Sequence, residues 1–512
     1  MDLGYGFPEW TELGQDSGLD PLGMQRPIEV IYQSIVPGIS TITLRYRYYS
    51  FFPFILRHYE EKIRHSDPNE FRKFQRRCEA LFALICTYGE SELGITGSDW
   101  ANRTLSDARA QSSEAAIIDF SVGADPNTDE SLRYLRNKGG AFGAIYATQM
   151  SEMGLIHFPG AGHPNPNPVC SDVALKLADA FSRELGATAD EFFEVVAAGK
   201  IAPPSLKSFE AMKPNQLKQD SDEHILLTEI LLGKSDTRSE TDRMRRSTLQ
   251  MLLDVAATSR SIPRAEQVKW HWFENVPNLQ GGNAREVPHL WFLYQACDLV
   301  RLAYEAILSA ALTLLETAPR RRMTLADLTD GLIGFAEIAG DRTWEDFSFG
   351  LADEATAARE HAQAMLSAME EGETAEQVRL AVSLIATLYD RSSAATNLIE
   401  EALSGADYFQ SLRTEVQFLD RARAVSASRV IADLIRERIL KRHMWVASRK
   451  FRNQKAYTFH MEPEEGQLRY RSHFRISPSS PRLDQALRFL RDISLIDENG
   501  ITERGRAEMA TA

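Results

Sequence analysis

Between Arg436 and Arg475 the chain carries eleven lysines and arginines against four glutamates, a local balance of +7 inside a 512-residue chain whose formal charge is −14. Guanidinium and ammonium groups neutralise phosphates, and aromatic faces stack on unpaired bases. Arg449, Lys450, Arg452 and Lys455 stand near Trp445, Tyr457 and Phe459, while Arg469, Arg471 and Arg475 stand near Tyr470 and Phe474. The pattern points to a nucleic-acid partner, DNA in the first instance. Arg449, Lys450, Arg452, Lys455, Arg469 and Arg471 would meet phosphates, and Tyr457 and Phe459 would stack on bases or support the ribbon. The competing reading is a solvated ribbon whose cations pair with acidic helices. A second basic stretch, Arg45 to Arg77, has nine Lys/Arg against four Asp/Glu. Its interleaved Tyr46, Tyr48, Tyr49, Phe51, Phe52 and Phe54 suit a core, with the arginine stems reaching outward.

Catalytic chemistry finds less footing. Neither GxxxxGK[ST] nor a strand-associated GxGxxG occurs, which disfavours autonomous ATP hydrolysis. His157, His163 and Cys170 are spaced by six and seven residues in a Pro/Gly-rich loop, unlike a compact zinc framework. His271 beside Glu274, and His443 with His460 and His473, lack a defined third partner. Asp220, Asp222 and Glu223, or Glu345 and Asp346, have the chemistry to hold Mg²⁺ in a nuclease, but no linked lysine and strand context identifies one. No GxSxG elbow is found. The expectation is a non-enzymatic chain that needs no cofactor and no metal.

These residues must be positioned by a mainly α fold, an irregular multi-helix bundle with winged-helix-like units and a small C-terminal β-ribbon. A composition 43% hydrophobic and 25% charged excludes global disorder. Phe71, Phe74, Cys78, Leu81, Phe82 and Ile85 recur at helical intervals. Pro288 to Lys441 is mostly helical by periodicity, with no 20- to 50-residue repeat that would signal a solenoid. Met444–Phe451, Ala456–Met461 and Leu468–Phe474 read as short β-prone stretches, with a hairpin turn over residues 462–466. Two segments have winged-helix character, around Gly140–Phe181 and from Arg482 onward, with recognition helices over Gly140–Met153 and Arg482–Asp492. The resulting division is 1–130, an N-terminal helical region with the aromatic and basic cluster; 131–200, a candidate winged-helix-like unit; 201–442, a helical bundle; and 443–512, the ribbon with a second winged-helix-like unit.

Four cysteines without CxxC spacing suit a reducing compartment. The first 20 residues lack a basic start and an apolar core, and Leu290–Leu315 is interrupted by Asp298, Arg301 and Glu305. A cytoplasmic chain with no membrane partner is expected.

Two stretches, Pro37-Gly38-Ile39-Ser40-Thr41 leading to Leu44-Arg45-Tyr46-Arg47-Tyr48-Tyr49, and Pro481-Arg482-Leu483 leading to Ala486-Leu487-Arg488-Phe489-Leu490-Arg491-Asp492, resemble a poorly characterised bacterial group of large helical proteins with winged-helix-like units. That group is associated with phage-defence or mobile-element neighbourhoods. The resemblance implies a role in bacterial defence and carries no catalytic motif. The leading expectation is a nucleic-acid-binding subunit of a defence assembly. The alternatives are a docking scaffold or kleisin-like bridge for an ATPase or nuclease partner, and a divergent metal-dependent nuclease.

Overall fold

Hydrophobic periodicity becomes helix over most of the chain: the computed structural model contains 22 α-helices and four sheets of two or three strands among the described residues. It describes residues 20–90, 92–110, 116–160, 165–234, 239–259, 261–338, 341–349, 356–405, 408 and 410–510. The N-terminal arm before residue 20 and His163 lie outside them. The mainly α class with a small β-ribbon holds. Two compact units form, both discontinuous in sequence. One joins Val36–Arg264 to the chain from Pro481 onward, and the other joins Ala265–Ser480 to the helix Gln25–Ile35. The boundary at Pro481 falls inside the expected 443–512 segment, so the ribbon and the C-terminal module belong to different units.

The aromatic stretch folds as the helix Tyr48–His58 with Tyr48, Tyr49, Phe51 and Phe52 buried. Phe51 stacks on Phe82 of the helix Pro68–Thr87, ring centroids 4.2 Å apart, and Tyr48 stacks on Tyr146 at 4.6 Å. The second helix starts where its sequence says it should, with Asp67 accepting from the Asn69 N–H and Pro68 in the first turn. Several arginines of this stretch turn inward, contrary to the expectation that they reach for solvent. Arg47 is buried against Glu223 at 2.8 Å and donates to the carbonyls of Ala211 and Lys213. Arg76 is buried as well, donating to the carbonyls of Ala124 and Asn137. A guanidinium satisfies several loop carbonyls at once, which is why irregular backbone can pack inside.

In the same unit Ile156–His157 pairs with Val169–Cys170, and Ser171 caps the following helix Asp172–Leu185. The expected helix over Gly140–Met153 forms across 140–152 but is irregular, with a π-turn at Phe142–Tyr146 running into Ala147–Glu152. Its start is held by the buried carboxylate of Glu79, which accepts from the N–H groups of Ala141 and Phe142. Gly140 has φ +70°, and a Cβ there would collide with Glu79, Gln75 and Tyr134. The C-terminal module has the expected order, with helix Leu483–Asp492, the hairpin Ile496–Asp497 and Gly500–Ile501, and helix Glu503–Ala510.

The second unit is organised by the helix Val287–Thr317, 31 residues buried on nearly every face. Its interrupting charges form a buried cluster. Arg301 pairs with Asp298 and Glu305, each at 2.7 Å, and donates to the Ser477 carbonyl. No helix among the described residues is long and apolar enough to cross a membrane. The ribbon is three-stranded, in the order Arg322–Met323, Gln467–Tyr470, Met461–Glu464, with its turn at Glu465-Gly466. Two expected strands do not form as read: Ala456–Met461 contributes only Met461, the strand running on through Glu464 where a turn was expected, and a second is helix. Met444–Phe451 lies within the helix Lys441–Gln454, because Arg442, His443, Val446 and Ala447 bury at helical spacing.

Candidate nucleic-acid interface

The helix Lys441–Gln454 has a buried side defined by His443, Val446 and Ala447. At 100° per residue its opposite side presents Trp445, Arg449 and Arg452, with Phe451 at the edge. Three large aromatic side chains stay in solvent here: Trp445 is 44%, Phe451 48% and Tyr457 57% exposed. The Arg449 guanidinium lies 5.5 Å from the Trp445 ring centroid. Phe451 and Tyr457 meet edge-on at 6.3 Å, and Phe459, half-buried, lies 5.3 Å from Tyr457. Arg449, Arg452 and Lys455 are exposed among these rings. Lys455 closes the helix in the left-handed conformation, φ +58°, with its N–H donating to the Phe451 carbonyl.

The eleven cations do not form one field. Arg438 and Arg442 pair with buried Glu415, at 3.2 and 2.6 Å. Arg436 and Lys441 share Glu437, at 3.0 and 2.8 Å. Within the hairpin Arg469 pairs with Glu464 at 3.0 Å and Arg471 with Glu462, while the Tyr457 hydroxyl donates to Glu462. Lys450 donates to the Asp20 carbonyl at 2.8 Å and is half-buried. Of the six sequence-read phosphate contacts, Arg449 and Arg452 share the helix face with Trp445, Lys455 is exposed where the helix ends, Arg469 and Arg471 are engaged by hairpin glutamates, and Lys450 ties down the backbone near residue 20. Trp445 and Phe451 were missed as site residues. Their signal was the i, i+4, i+7 spacing of Trp445, Arg449 and Arg452, which a β-reading of 444–451 conceals.

The histidine trio also resolves. His443 is buried, donates through Nδ1 to the Pro21 carbonyl at 3.1 Å and accepts at Nε2 from the His460 N–H at 3.0 Å. Burial drives its pKa down to about 4, the Pro21 carbonyl opposing and His460 and Lys450 adding. His473 meets Glu316 at 2.9 Å. The ring of His443 therefore fixes the segment leading into the hairpin, and so the direction in which Tyr457 and Phe459 point.

No family model, curated protein or solved structure matches the chain. The site therefore rests on its own geometry.

The other candidates lead elsewhere. Among the described residues, no group of three or more His, Cys, Asp or Glu side chains is arranged to hold a metal ion. Asp220, Asp222 and Glu223 each face a different arginine, Arg504, Arg183 and Arg47. Asp346 accepts from the Thr343 hydroxyl at 2.7 Å. Two clefts of about 760 and 630 Å³ in the first unit share Gln219, Arg491 and Ser494. The larger is lined by Arg491 and Arg504 against Asp220, Asp497, Glu503 and Glu508, so acids outnumber bases and a polyanion is not favoured there. In the helix Leu483–Asp492 the apolar residues are buried, leaving Asp484, Arg488 and Arg491 in solvent.

Proposed function

We propose that this chain is a non-enzymatic nucleic-acid-binding protein whose contact surface is the exposed face of the helix Lys441–Gln454 continued through Tyr457. The observation that carries the reading is the coincidence of three solvent-exposed aromatic rings with three exposed cations within the thirteen residues Trp445 to Tyr457. Large apolar side chains clustered in water mark a binding surface. Cations among them select an anionic partner, and a polynucleotide supplies both phosphates and π-faces. A place in a bacterial defence assembly is the part of the proposal that rests on the resemblance of the 37–49 and 481–492 stretches.

Two variants test it by salt-dependent binding. Replacing Arg449, Arg452 and Lys455 with Gln is expected to flatten the slope of log K against log salt by about 2 to 3, since each lost phosphate contact removes about 0.7 to 0.9. Replacing Arg469 and Arg471 with Gln is expected to leave the slope nearly unchanged, because those two already face Glu464 and Glu462. Equal effects of the two variants would reject the helix face as the contact surface.

A further inference from the structure

Resting on that reading, we infer that the surface takes single-stranded rather than duplex nucleic acid, with Trp445, Phe451 and Tyr457 as stacking platforms and Arg449, Arg452 and Lys455 as backbone contacts. A duplex offers a protein its phosphates and groove edges, and its base faces are already stacked on one another. It gains little from aromatic rings held in water. A single strand has free base faces, and every base has one, so recognition by rings tolerates any sequence.

Two features of this face suit a strand. The rings and the cations are interleaved, Trp445, Arg449, Phe451, then Arg452 and Lys455, then Tyr457, so a ligand that offers both base faces and phosphates finds partners for each. The Trp445 and Tyr457 rings stand on different elements, the helix and the extended segment after it, so a bound strand follows the bend at Lys455. Duplex DNA, stiff on this scale, does not follow such a bend cheaply.

The experiment measures fluorescence anisotropy of the full chain with labelled oligo(dT), oligo(U) and a mixed-sequence DNA duplex, each of about 16 nucleotides or base pairs, at matched salt. Both single strands are expected to bind at least tenfold tighter than the duplex, and the dT and U arms tell DNA from RNA. Changing Trp445, Phe451 and Tyr457 together to Leu keeps the surface apolar but removes its π-faces. That variant is expected to lose about a hundredfold in single-strand affinity and little in duplex affinity, with its thermal unfolding unchanged. Tight duplex binding equal to that of the single strands, or a leucine variant that binds single strands as the parent does, overturns the inference while leaving the proposed function standing. Failure to bind any of the three probes overturns the proposed function itself.

Discussion

At the scale of single residues, buried ionisable groups set opposite pH dependences. His443 is neutral in the fold, and its pKa drops from the ordinary 6.5 to about 4 because burial penalises the imidazolium. The unfolded chain therefore binds more protons between those values. The stabilisation is complete above pH 6.5 and is lost as pH falls toward 4, by roughly 3 kcal/mol in all. His460, half-buried next to it, is shifted in the same direction by the same cause. Glu79 runs the other way. Burial raises its carboxyl to about 7 against the donors around it, so its share of stability is largest below the ordinary carboxylate range and declines as pH rises through 7. Urea unfolding followed from pH 7 to 4.5 is expected to show His443→Gln with a flatter profile than the parent; an unaltered profile would remove the imidazole from the argument. Glu79→Ala leaves the buried Ala141 and Phe142 N–H groups without their acceptor, and a loss of about 3 kcal/mol is expected in the same assay. The partners of both groups escape sequence inspection, since nothing in a lone Glu or His announces which backbone it will meet.

Secondary-structure elements show why part of the site was legible and part was not. Arg449, Arg452, Lys455 and Tyr457, singled out from type and spacing alone, are all exposed in the fold, and the hairpin forms a few residues from its expected place. The helix Lys441–Gln454 was not readable as a helix, because Trp445, Val446 and Phe451 have strand propensities that its buried side overrides. Tertiary burial of His443 and Val446 decided the conformation. Charge pairing was hidden for a related reason, as Arg442 meets Glu415 and Arg322 meets Glu464 from distant parts of the sequence. One residue of the element departs from its own local preference: Lys455 ends the helix at φ +58°, where glycine is the favoured residue. Lys455→Gly is expected to raise stability by about 1 kcal/mol, read from the denaturation midpoint, while weakening polynucleotide binding. Gains in both would show that the lysine has no part in the contact.

For the whole molecule the informative fact is that the stretches 37–49 and 481–492, from opposite ends of the sequence, pack against one another in the first unit. Arg482 donates to the Ile39 carbonyl at 2.6 Å, and Phe489 packs on Tyr46 with ring centroids 4.7 Å apart. Asp492 accepts from the Tyr46 N–H at 2.8 Å and from the Arg45 guanidinium at 3.2 Å. Arg45 also pairs with Glu92 at 2.6 Å. The helix Leu483–Asp492 thus completes the core begun by Tyr46 and Tyr49, and its two ends are fixed by charged hydrogen bonds. This gives the C-terminal module a structural task within the first unit. Leu483, Leu487, Phe489 and Leu490 are buried, each worth about 1.5 to 3 kcal/mol. Together they approach the whole stability of an ordinary domain, about 5 to 15 kcal/mol. A chain cut after Ser480 is therefore expected to lose hydrogen-exchange protection throughout Tyr48–His58 and Pro68–Thr87, while Val287–Thr317, whose burial belongs to the other unit, keeps its protection. The milder Asp492→Asn removes the charge but retains an acceptor, and a cost of about 1 to 2 kcal/mol follows from the weakened bond to Arg45. Protection of Tyr48–His58 that survives the truncation would mean the C-terminal helix is an accessory to that core, free to serve as a docking module.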